Sequence, residues 1–235
     1  MDLTLKIIAT TLVPFFISVS VCYLFGYWGA FQINVLEFVS FTDIGKLAVF
    51  PMVGSVVIGS VLFAVLDVTT SRPTMIDKDA GNSTPNRDFN FWRAICGLLI
   101  IGAALVINYM PEPANWFFAT LLSIPLCLPL IHLRALVKAL PNKDARTFAA
   151  VVIVLLPGLA FSFGRAEAYL VKTGTARLIV DVSRSNLALQ GDMKNPPIYM
   201  GLLGETFVVF EPKTNSLVFI KQKGDSPLFL IARKK

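Results

Sequence analysis

Charge is scarce in this chain. Only 15% of its 235 residues are Asp, Glu, Lys or Arg, where soluble domains carry about 25%. Hydrophobic residues make up 55%, and they come in runs. Runs of that kind point to lipid-facing helices rather than to an oversized soluble core. Histidine occurs once, at His132, which excludes a histidine-rich metal site. No carboxylate lies near it in sequence to make an acid–base pair. The three cysteines, Cys22, Cys96 and Cys127, all sit inside apolar stretches. The rest of the chain has none, so disulfides and zinc sites are excluded there. Thiols so placed act as small hydrophobes.

Other absences narrow the function classes. There is no Gly-rich phosphate loop, no nucleophile elbow and no pair of metal-binding carboxylates. No residue pattern calls for a cofactor or a metal. Ion-coupled carriers and proton pumps hold ionisable side chains at mid-membrane. The apolar stretches here offer only hydroxyls such as Thr10, Thr11, Ser18, Ser20, Ser55, Ser60 and Ser123, with Asn108 near an end. That argues against a carrier of charged substrates.

What is present is a set of five apolar stretches, residues 7–27, 47–66, 94–109, 116–133 and 148–164. A membrane-crossing helix needs roughly 20 such residues. The last is the weakest, because at about 1.5 Å per residue it reaches only some 25 Å, and Pro157-Gly158 interrupts it. Arg146 and Arg165 flank it and can snorkel to the surface. The expected fold is therefore an all-α membrane bundle of about five transmembrane helices, residues 1–165. A small antiparallel β domain follows over 166–235. Residues 67–92 read as a linker of turn-forming and polar residues.

The connecting segments alternate in charge. Residues 27–45 hold no Lys or Arg, while 67–93 hold Arg72, Lys78, Arg87 and Arg93. The short segment 110–115 again holds none, and the next holds Arg134, Lys138, Lys143 and Arg146. Under the positive-inside rule these cations set the topology. The amino terminus faces the cytoplasm and the β domain lies outside a bacterial inner membrane. Trp28, Trp92 and Trp116 stand at stretch ends as interface anchors. Glu37, Asp43 and Glu112 then share one side and read as hydration. The apolar loop from Phe31 to Ser40 reads either as a plain re-entry turn or as a segment lying in the interface.

Two further features concern packing. Gly54, Ser55 and Gly59 put small residues on one helix, with Ser55 and Gly59 four apart, which allows close helix approach. From about 166 onward the pattern changes to strands, with short apolar runs between turn residues such as Pro212-Lys-Thr-Asn and Lys223-Gly-Asp-Ser. They predict an antiparallel meander or a small open barrel. A domain of that size is marginal alone and needs a surface to rest on.

The residues favour a non-enzymatic membrane protein. Its partners are then the bilayer and another protein, held by the β domain in an accessory, immunity, sensing or defence role. The alternative is an oligomeric channel or transporter for a neutral or anionic solute, built as a homo-oligomer. The basic carboxy terminus, Arg233-Lys234-Lys235, lacks interleaved aromatic platforms, which argues against nucleic acid.

Overall fold

The computed structural model describes residues 3–38, 85–185, 195–221 and 228–232, without the side chains of 3–13, 36, 85–94, 96 and 128. Its helices are α1 (Leu3–Gly29), α2 (Pro85–Tyr109), α3 (Ala114–Leu121), α4 (Cys127–Ile131), α5 (Arg134–Ala139) and α6 (Lys143–Lys172). Single 3-10 turns lie at Val35–Glu37 and Ile124–Leu126. The strands are β1 (Leu178–Val180), β2 (Ile198–Leu203), β3 (Thr206–Glu211), β4 (Ser216–Lys221) and β5 (Leu230–Ala232).

This arrangement overturns the five-span bundle. Among the described residues one helix, α6, is long and apolar enough to cross a membrane by length and composition. In α2 the apolar part whose side chains are described runs from Gly97 to Tyr109, about 20 Å of helix. The stretch 116–133 is not one helix. Pro125 falls in the 3-10 turn and Pro129 in the five-residue α4, and a proline supplies no amide to the helix ladder. α1 runs over Leu3–Gly29, and the part of it whose side chains are described, Pro14–Gly29, is apolar but shorter than a span. The stretch 47–66, with Gly54, Ser55 and Gly59, lies outside the described residues, as do Asp43, Arg72 and Lys78.

The segment that looked weakest is the longest helix among the described residues. α6 has 30 residues and continues through Pro157 and past Arg165. Its flanking residues explain this. Asn142 caps the start by accepting a hydrogen bond from the Asp144 amide at 2.8 Å. Ala166, Glu167, Ala168 and Leu170 are good helix formers and carry the helix beyond residue 166, into the stretch assigned to the β domain. Likewise α2 begins at Pro85, inside the stretch read as a linker.

α1 and α6 pack along their length and run parallel. Val19 packs with Leu156 and Ala160. Further along, Gly26 lies against Phe161, and Gly164 against Tyr23. α3 and α4 pack on the other side of α6, where Cys127 and Ile131 meet Ala150, Val151 and Leu155. Buried Asn115 ties α3 to α2 by donating to the Ile107 carbonyl at 3.1 Å.

The five strands form one antiparallel sheet in the order β4-β3-β2-β1-β5. The β2–β3 hairpin pairs Leu203 with Thr206, and Gly204 takes φ +58° in its turn, a backbone region that glycine enters at no steric cost. Asn215 takes φ 52° before β4, within the turn that Pro212 opens. The sheet does not stand alone. Leu24, Tyr27 and Trp28 of α1 and Ala168 and Val171 of α6 share a core with Ile198, Met200, Val208 and Phe210. The other face holds a second cluster of Val180 and Val209, with Tyr199, Val218 and Leu228 beside them. The surface on which the sheet rests is thus the carboxy-terminal ends of α1 and α6.

Candidate functional site

The apolar loop after α1 has a structural explanation. Val35 is fully buried in the core shared with the sheet. Phe31 lies 5.9 Å from Phe210, and Phe38 stacks on Phe219 at 5.9 Å. The loop is apolar because it covers the helix-side face of the sheet. Glu37 stays exposed and accepts a hydrogen bond from Asn34 at 2.7 Å.

Trp28, expected at the interface, lies in the protein core. It is 3% exposed and sits edge-on to Tyr27 in the helix–sheet core. Trp116 is half-buried. The Arg165 guanidinium lies 4.9 Å above its ring and 5.7 Å from that of Phe161. The indole Nε1 of Trp116 and the Nε of Arg165 are both buried without a protein acceptor among the described residues. Trp92, Arg87 and Arg93 belong to α2, but their side chains lie outside the described residues.

Of the remaining topology-setting cations, Arg134, Lys138 and Lys143 are exposed. Arg146 turns inward instead and donates from Nη1 to the carbonyls of Leu140 at 3.3 Å and Pro141 at 3.0 Å. It locks the corner between α5 and α6. His132 is exposed at the end of α4, and Cys127 is buried with its thiol 3.8 Å from the Ala150 carbonyl.

Two contacts between α1 and the rest were not foreseen. The Tyr23 hydroxyl donates to the Glu167 carboxylate, and the Tyr27 hydroxyl donates to the Met200 carbonyl at 3.0 Å. Together they join α1 to α6 and to β2. Nothing in the local sequence distinguishes Glu167, because its partner lies on a helix far away in the chain. A third polar contact, Thr120 with Ser162 at 3.0 Å, joins α3 to α6. All three are structural links. Among the described residues no group of three or more His, Cys, Asp and Glu side chains is placed to hold a metal ion.

The exposed surfaces are more distinctive than any pocket. Along α2, Leu98, Ile101, Leu105 and Tyr109 form one strip and are 52–83% exposed. Beside it, Leu99, Ile100, Ala103, Ala119, Leu122 and Leu126 line an apolar cleft of about 150 Å³. In the sheet, Leu230 and Ile231 of the edge strand β5 are about two-fifths exposed. Exposed apolar surface on this scale marks contact with a partner or with a membrane. No model of a protein family, no curated protein and no solved structure matches this chain.

Proposed function

We propose that this chain is a non-enzymatic, membrane-anchored protein that holds a β-sheet at the bilayer surface and offers it to another protein. The observation that carries the reading is the join between α6 and the sheet. α6 has no charged side chain between Arg146 and Arg165, a rise of roughly 27 Å, close to the hydrocarbon thickness of about 30 Å. Its next two turns bury Ala168 and Val171 in the sheet's own core. A bilayer crossed by α6 would therefore have the sheet fixed at one face, with no flexible linker between.

Further features support the reading. α1 runs parallel to α6 and ends in the same core, so both helices start at the end away from the sheet. The exposed strip on α2 suits acyl chains. Among the described residues β4 and β5 are the edge strands of the sheet, and such edges take an added strand from a partner. Ile231 at the β5 edge is an apolar contact for such a strand.

The test uses the full chain in native membranes. It is expected to resist extraction at alkaline pH, and release into the supernatant would overturn the anchoring. A photo-crosslinking residue placed at Ile231 is expected to form an adduct with a second polypeptide, while one at exposed Glu112 does not. Equal labelling at both positions, or none at Ile231, would remove the sheet edge as the binding surface.

A further inference from the structure

The corner between α4 and α6 combines exposed apolar and exposed basic side chains. Leu133 and Val137 lie one turn apart on α5 and its cap, 51% and 41% exposed. Arg134 and Lys138 follow each by one residue and are likewise one turn apart, so the basic row runs beside the apolar one. Lys143 stands exposed at the start of α6. Among the described residues none of these three cations is in an ion pair. Four cations in segment 134–147 face the single carboxylate Asp144.

The corner is held in shape. Arg146 bonds the carbonyls of Leu140 and Pro141, and Asn142 caps α6. A soluble protein gains nothing by fixing two apolar side chains in water beside unpaired cations. A helix lying in an interface needs that composition: apolar residues below the headgroups and Lys or Arg at their level.

We propose that the corner is a docking surface for an anionic lipid leaflet. Leu133 and Val137 enter the acyl boundary, and Arg134, Lys138 and Lys143 meet headgroup phosphates. The inference rests on the reading that α6 crosses a bilayer. The uncharged run of α6 starts immediately after Arg146, so a bilayer crossed by α6 meets this corner at its surface. Charge complementarity selects anionic over neutral lipid. Each cation near such a surface contributes roughly a five-fold gain in partition, so the three together contribute about 100-fold.

The experiment is hydrogen exchange on the full chain in lipid nanodiscs of neutral phosphatidylcholine, with and without phosphatidylglycerol. Amides of residues 133–142 are expected to gain protection when the anionic lipid is added. High salt is expected to reverse that gain, because it shortens the reach of each charge. The combined variant Arg134→Gln, Lys138→Gln, Lys143→Gln is expected to lose the lipid-dependent part alone. Val137→Ser is expected to lower protection in both lipids. Equal protection with and without phosphatidylglycerol overturns the proposal, as does protection that appears only when an acidic protein is added. Should the full chain leave vesicles at alkaline pH, the crossing itself fails and this inference falls with it. A chain that stays in the membrane with an unprotected corner sinks only the docking surface.

Discussion

Gly26 of α1 and Gly164 of α6 meet where the two helices come closest. A methyl group on Gly26 would stand 2.3 Å from the Phe161 carbonyl oxygen, and one on Gly164 would stand 2.3 Å from the Tyr23 carbonyl oxygen. Both obstructions are backbone, so no side chain can swing aside. Overpacking of this kind costs about 1–3 kcal/mol, and here a helix must shift to relieve it. Gly26→Ala and Gly164→Ala are each expected to destabilise by at least that amount in a detergent unfolding titration. Gly97→Ala is the control, because open space surrounds its Cβ position and alanine gains up to about 1 kcal/mol in helix propensity. Equal stability for Gly26→Ala and Gly97→Ala would show that the helices are not pressed together.

The Tyr23–Glu167 contact reaches across that crossing, since Tyr23 precedes Gly26 by one turn and Glu167 follows Gly164 by one turn. A hydrogen bond to a charged partner is worth about 1.5–3 kcal/mol when it is buried. This pair is only partly buried, so the lower end applies. Tyr23→Phe is expected to cost about 1–2 kcal/mol, and Glu167→Gln less, since the amide oxygen still accepts. The double variant Tyr23→Phe, Glu167→Ala is expected to cost less than the sum of the Tyr23→Phe and Glu167→Ala single losses. Strict additivity in that cycle would mean the contact contributes nothing.

Beyond β1 the chain turns on Asp181. Its carboxylate accepts from the Ser183 hydroxyl at 2.6 Å and the Ser183 amide at 3.1 Å, and Arg184 lies 3.5 Å away. The Ser183 hydroxyl is the main reason the Asp181 carboxyl is held below its usual value. A depressed carboxyl stabilises the fold above its unfolded pKa, about 3.9, and that contribution is lost as pH falls through the folded value. Ser183→Ala is therefore expected to move the Asp181 midpoint upward in an NMR titration of the side-chain carboxyl carbon. The Asp181 side chain is 12% exposed, and the same variant is expected to lose a small part of its neutral-pH stability. An unmoved midpoint would assign the shift to Arg184 instead.

The strand region was legible because its signals are local. Pro212 and Asn215 mark a turn by residue type, and apolar runs on either side of it pair across the sheet, Val209 with Val218 and Phe210 with Leu217. The helical region was less legible because apolarity alone does not say what a residue faces. The run from Phe31 reads either as a plain re-entry turn or as a segment lying in the interface, yet Phe31 and Phe38 cover Phe210 and Phe219. Trp28 satisfied the composition of an anchor and was buried by a sheet that follows it by well over a hundred residues. In segment 116–133 the mean apolarity is that of a span, but with Pro125 and Pro129 both present the helix breaks into short pieces. Arg165 marked the end of a stretch in sequence, while Ala166 and Ala168 carried the helix two turns further. The contacts of Gly26 with Phe161 and of Tyr23 with Glu167 had no sequence signature, because each depends on the register of two distant helices.

The Arg165–Trp116 stack tests whether the sheet-proximal end of α6 is held by a cation on aromatic rings or by packing alone. Trp116 and Phe161 meet nearly edge-to-face at 5.1 Å, and the guanidinium lies over both. A cation over an aromatic face contributes about 0.5–1 kcal/mol when exposed and about 2 when desolvated. Arg165→Met keeps the apolar stem and removes the charge, so its cost isolates that contribution. Arg165→Lys keeps the charge but not the planar group that lies across both rings, and it is expected to recover less than half the loss. Trp116→Phe weakens the ring partner and also removes the buried Nε1, which has no protein acceptor. Because an unpartnered buried donor costs about 1–3 kcal/mol, Trp116→Phe is expected to be milder than its lost ring area implies. The double variant Arg165→Met, Trp116→Phe, measured against both singles by unfolding in detergent, is expected to show a coupling above about 0.5 kcal/mol. Coupling below that level would leave Arg165 as a packing residue whose charge faces solvent or lipid headgroups.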